Sequence, residues 1–111
     1  MQPGDNDGMK IELLHIDDCP NTAKALEQVK AALAALGHEG IPVQMRHIRS
    51  PADTAGTGFA GSPTITADGV DIFPDGAPSS DLACRIYPTP SGYEGAPTVD
   101  QVMKALSDYG L

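Results

Sequence analysis

The chain contains no tryptophan, and only two phenylalanines and three tyrosines among 111 residues, so its core has to be built from aliphatic side chains. Two cysteines are too few for a disulfide scaffold. In a reducing compartment both stay mostly as thiols, and they are either inert core residues or chemistry. Cations are scarce as well: seven Lys and Arg against fifteen Asp and Glu give a formal net charge of -8. That balance repels phosphate backbones and anionic lipid, so neither nucleic acid nor a membrane surface is an expected partner. No apolar run approaches the roughly 20 residues of a membrane span, and the polar start "MQPGDNDG" lacks the basic and apolar segments of a secretory signal. The expectation is a cytoplasmic protein.

A hydrophobic fraction of 41% suits a folded chain, and the length suits one domain. Residues 1–8 read as a disordered arm and 9–111 as that domain. Lys10 to Ile16, "KIELLHI", is apolar on both faces, as in a central strand with parallel neighbours. From Pro20 the period changes. Thr22, Leu26, Val29, Leu33 and Leu36 recur at three and four residues along one helical face, and Gly37 supplies the stop. "PVQMRHI", Pro42 to Ile48, is the next strand. Ser50, Pro51 and Asp53 predict a short helix running to about Gly58. Ser62 to Phe73 carries a hairpin signal around Asp68-Gly69. The Pro-, Gly- and Ser-rich segment 74–97 has no readable element and is expected to be a functional loop. In the last helix Thr98 and Gln101 match a capping box, with Val99, Val102, Met103 and Leu106 as the apolar stripe. The order β-α-β-α-β-β-α predicts an α/β fold, a mixed four-stranded sheet flanked by helices.

Chemistry concentrates at "DDCPNT", Asp17 to Thr22. A helix beginning at Pro20 makes Cys19 its cap, facing free N–H groups that lower a thiol pKa. The Thr22 hydroxyl can donate a further hydrogen bond. Asp17 and Asp18 act the other way, and the alternative is a cysteine that only packs under the first turn. Cys84, in "LACRIY", is either a buried small residue or a second thiol that folds back onto Cys19. Arg85 pairs with loop acids, stabilises a thiolate or is merely solvated. His15, His38 and His47 show no metal-ligand spacing, and hydrogen-bonded histidines are the expected reading. No metal or other cofactor is expected, and the Gly and Asp clusters match neither a phosphate loop nor a calcium loop.

The sequence resembles the thioredoxin-like superfamily. "CPNT" follows the first strand and "GSPTI" precedes the hairpin, so the resemblance spans roughly residues 10 to 73 plus the last helix. It implies a thioredoxin-like fold and thiol–disulfide exchange. Cys19 would be the nucleophile, Thr22 would stand in the place of the second cysteine, and Pro63 would be the cis-proline. With Thr at 22 the usual dithiol cycle cannot operate, and Cys84 is the candidate resolving thiol. Pro20, Ser62, Pro63 and Thr64 would line the substrate site, where an extended chain pairs with backbone groups. Implied partners are a disulfide-containing protein or a low-molecular-weight thiol, met by a monomer. Two alternatives stay open: a non-catalytic peptide-binding module on the same fold, and a soft-metal or mercury site built from Cys19 and Cys84.

Overall fold

The computed structural model describes residues 9–73 and 79–111; the arm expected over 1–8 lies outside them. Among the described residues nine elements follow one another: β1 (Ile11–His15), α1 (Thr22–Ala35), β2 (Val43–His47), a short 3-10 helix (Pro51–Thr54), β3 (Thr64–Ala67), β4 (Val70–Asp71), β5 (Tyr87–Thr89), β6 (Gly92–Glu94) and α2 (Val99–Asp108).

Apolar residues on both faces make β1 a central strand. It runs parallel to β2 on one side and antiparallel to β3 on the other, and β4 pairs antiparallel with β3. The result is a mixed four-stranded sheet in the order β2-β1-β3-β4. Ile11 and Leu13 join Ile65 and Ala67 beneath Ala25, Val29 and Leu33 of α1 and Val102 and Leu106 of α2. On the opposite face Leu14 packs with Ile48 and Phe59. Leu13, Leu14, Val29, Ile65, Val102 and Leu106 are fully buried, each stabilising the fold by about 1.5–3 kcal/mol. Both α-helices therefore cover one face. Loop residues, Ile48 and Phe59 among them, close the opposite face.

Local chemistry accounts for the boundaries. The α1 terminus closes with His38 N donating to Leu33 O at 2.7 Å and Gly37 N to Ala34 O at 3.0 Å, a Schellman arrangement that needs Gly37 at φ +81°. In the β3–β4 turn Asp68 and Gly69 both take positive φ, 52° and 84°, as a two-residue type I′ hairpin requires. The α2 start has both halves of the capping box: Gln101 N donates to Thr98 Oγ1 at 3.1 Å, and Thr98 N to Gln101 Oε1 at 2.9 Å.

Three expectations are corrected. The first helix begins at Thr22 with Asn21 as its N-cap, so Cys19 is not the cap and Pro20 is not its first residue. A preliminary turn, Thr22 N to Cys19 O at 3.3 Å, takes up those positions. The short helix after β2 is a four-residue 3-10 turn ending at Thr54, because Gly56 and Gly58, both at positive φ, break its continuation. The segment beyond Pro74 is not structureless where it is described: β5 and β6 form a separate two-stranded hairpin. No helix among the described residues is long and apolar enough to cross a membrane.

Candidate functional site

The turn from β1 into α1 delivers Cys19 to one end of the sheet, and the segment before β3 delivers Ser62 beside it. The Cys19 thiol donates to the Ser62 carbonyl at 3.8 Å. The Ser62 hydroxyl oxygen accepts from Ile16 N–H at 3.1 Å, which leaves its own proton free for the sulfur. The Ser62–Pro63 peptide is cis.

A third segment completes the cluster. Ser62 N donates to Ala83 O and Arg85 N donates to Ser62 O, both at 2.8 Å, forming an isolated parallel bridge between Ser62 and Cys84. This strap lays Cys84, itself exposed, near enough to Cys19 for each thiol to bear on the other's pKa. The two cysteines, distant in sequence, are thus brought to Ser62 from either side as free thiols.

The pair is electrostatically unequal. Burial alone pushes the Cys19 pKa up, but donors outweigh it: the Ser62 hydroxyl, the Thr22 hydroxyl, Asn21 N–H and the Cys84 thiol together leave it below the ordinary thiol value. Thr22 Oγ1 is buried with no hydrogen-bond partner, so a Cys19 thiolate is the acceptor it lacks. Cys84 moves the other way. Burial, the negative charge on Cys19 and the hydrogen bond it donates there all raise its pKa. Asp17 and Asp18 are exposed, and the Cys19 pKa is lowered in spite of their proximity in the chain.

The strap is riveted on its far side. Arg85 Nη1 reaches Asp71 Oδ2 at 2.8 Å and Nη2 reaches Phe73 O at 2.9 Å, and the guanidinium sits 4.6 Å over the Tyr87 ring. Arg85 therefore pairs with Asp71 of β4 and, among the described residues, with neither a loop acid nor a thiolate. Burial raises the Asp71 pKa, partly offset by Phe73 N–H and by Arg85. The buried Tyr87 hydroxyl donates to Pro63 O. Gly61 gives the clearance: a Cβ there would stand 2.9 Å from Arg85 Cβ.

Three of the four residues that the resemblance would assign to substrate, Ser62, Pro63 and Thr64, are already engaged inside the chain. Ser62 holds the strap and Pro63 accepts from Tyr87. Thr64 Oγ1 donates to Gly61 O and accepts from Ala60 N–H. Pro20 is exposed in the turn after Cys19. Asn21 was not read as a site residue. Its side chain lies where a Cβ on Gly95 would fall, 2.0 Å from Nδ2, so a glycine there is the only local sign of its seat.

At the neighbouring ends of β1 and β2, His15 and His47 stack with centroids 5.2 Å apart. Arg49 Nε donates to His47 Nδ1 at 3.1 Å, which puts the proton of the neutral ring on Nε2, 2.7 Å from Asp17 Oδ1 though not aligned as a hydrogen bond. Desolvation, then the charge of His47, lowers the His15 pKa. Among the described residues no group of three or more His, Cys, Asp or Glu is arranged to hold a metal ion. No family model, curated protein or solved structure matches the chain, so the chemistry is argued from this geometry alone.

Proposed function

We propose that the chain is a thioredoxin-like thiol–disulfide oxidoreductase of the cytoplasm, acting as a monomer, with Cys19 as nucleophile and Cys84 as resolving thiol. The observation that carries this reading is the convergence of two free thiols on Ser62: Cys19 Sγ lies 3.8 Å from Ser62 O and Cys84 is bridged to the same residue, with the Cys19 pKa lowered and that of Cys84 raised. A nucleophile has to be thiolate at working pH, and its partner has to keep its proton until the second step. Cys19 thiolate attacks a disulfide sulfur, forms a mixed disulfide and releases one thiolate. Cys84 then loses its proton and attacks the Cys19 sulfur, releasing the second thiolate and leaving a Cys19–Cys84 disulfide. A thiol reductant returns the pair to the reduced state. Thr22, which cannot resolve anything, serves by donating its hydroxyl to the thiolate.

The β-α-β start and the position of Cys19 before α1 support the thioredoxin-like assignment. The binding-module alternative loses ground because the backbone groups of Ser62 that would pair with a peptide already bond to Ala83 and Arg85. The same juxtaposed sulfurs favour one second reading, a two-coordinate soft ion such as mercury held between Cys19 and Cys84.

The test is oxidation of the reduced protein with one equivalent of diamide, followed by peptide mapping. The expected product is an intramolecular Cys19–Cys84 disulfide. With a small disulfide as oxidant, Cys84→Ser should trap Cys19 as the mixed disulfide and Cys19→Ser should abolish exchange. Failure of the two cysteines to crosslink, or full exchange activity in Cys19→Ser, would overturn the proposal. Mercury retained by both sulfurs in a protein that exchanges no disulfide would favour the second reading.

A further inference from the structure

The way in which the strap occupies Ser62 narrows the substrate. An extended polypeptide docking beside Cys19 needs main-chain partners, and both backbone groups of Ser62 are spent on Ala83 and Arg85. The occupancy is fixed, because Arg85 is bonded to Asp71 and Phe73, Tyr87 to Pro63, and Arg85 lies against Gly61 with no room for a Cβ. Sulfur can still be reached: Cys84 is exposed and Cys19 only partly covered. Electrostatics add a second filter. Asp17 and Asp18 precede Cys19 and are exposed, Asp18 makes no ion pair among the described residues, and Arg85 is buried and already paired. Lys24, in the first turn of α1, is paired with Glu94. The mouth of the site is acidic on an acidic molecule.

Resting on the redox reading above, we propose that the substrate is a small, neutral or cationic low-molecular-weight disulfide rather than a disulfide within an extended polypeptide. Such a molecule meets the sulfur end-on and needs no strand pairing. The disulfide gains two electrons and leaves as two thiols, while Cys19 and Cys84 are oxidised to their mutual disulfide, which a low-molecular-weight thiol reduces again.

Exchange with the full-length protein, measured in single turnover from the reduced state, separates the possibilities. The probes are cystamine (cationic), bis(2-hydroxyethyl) disulfide (neutral), 3,3′-dithiodipropionate (anionic) and insulin as the polypeptide. The expected order is cystamine, then the neutral disulfide, then the anion. A span of about fivefold or more is expected at low salt, on the scale of a single close charge pair in water, and it narrows as salt rises. Insulin should react more slowly than the neutral probe. In Arg85→Ala, which releases the strap, insulin should gain relative to that probe; if this variant does not fold, Gly61→Ala takes its place. Insulin reacting as fast as the neutral probe, or the anion matching cystamine at low salt, overturns the inference. Diamide distinguishes the two levels: if it still links Cys19 to Cys84, only the substrate class falls, and if it does not, the redox reading falls with it.

Discussion

Arg85→Ala removes the rivet that seats the strap, and the structure sets the size of the effect. The guanidinium is 7% exposed and its partner carboxylate 12%, so this is a buried ion pair, with a further hydrogen bond to Phe73 O and stacking on Tyr87. Truncation leaves the Asp71 carboxylate with Phe73 N–H, 2.9 Å from Oδ1, as its remaining donor. Stranding a buried charge in this way costs about 3–5 kcal/mol, a large share of a total stability of about 5–15 kcal/mol. The thermal midpoint should fall by more than about 10 °C. The pH dependence has a definite sign. Asp71 titrates above the usual carboxylate range because of burial, and Arg85 is one of the groups holding it down. Without Arg85 its folded-state pKa rises further above the unfolded value, so its unfavourable contribution is absent below the unfolded pKa, grows as pH rises from there and levels off above the folded pKa. The stability gap between wild type and variant should therefore be narrowest in acid and widest near neutrality. Asp71→Asn combined with Arg85→Ala should lose less than the sum of the two single changes. Urea denaturation at acid and neutral pH, with unchanged slope, measures all of this. A loss under about 1 kcal/mol, well below the range for a stranded buried charge, or a gap that ignores pH, would refute the reasoning.

Thr22→Val removes a buried hydroxyl that has no hydrogen-bond partner and that lowers the Cys19 pKa. The Cys19 pKa should rise and its alkylation at neutral pH should slow several-fold, with stability changed by no more than about 1 kcal/mol; an unchanged rate would remove Thr22 from the site. Gly61→Ala places a Cβ 2.9 Å from Arg85 Cβ at a backbone φ of +106°. It should cost about 1–3 kcal/mol and slow diamide crosslinking of Cys19 to Cys84 by displacing the strap, and a melt and crosslinking rate like those of the wild type would show that the close approach does not matter.

Elements with a local signature were legible in the sequence. The Thr98 and Gln101 side chains that announce α2 make the bonds their spacing implies, and Asp68-Gly69 turns the hairpin where only those residues take positive φ cheaply. The start of α1 was misread because Pro20 suits a first helical position, whereas here it sits in a separate turn that postpones the helix to Thr22. The β5–β6 hairpin escaped notice because its strands have three residues each, one with Pro88 at its centre. At the site, Cys19 stood out by its place between strand and helix. What holds Cys84 opposite it did not, since a single bridge to Ser62 and an Arg85–Asp71 pair leave no periodic trace.

The measurement that bears most directly on the central claim is the alkylation rate of each cysteine in the reduced protein, resolved by peptide mapping across a pH series. An unperturbed thiol titrates near about 8.5. The account predicts that Cys19 titrates below Cys84 and below the ordinary value, that Cys84 titrates above it, and that Cys84 falls back toward the ordinary value in Cys19→Ser, where the neighbouring charge is gone. Two cysteines titrating together at the ordinary value, or a Cys84 that does not respond to the loss of Cys19, would contradict it.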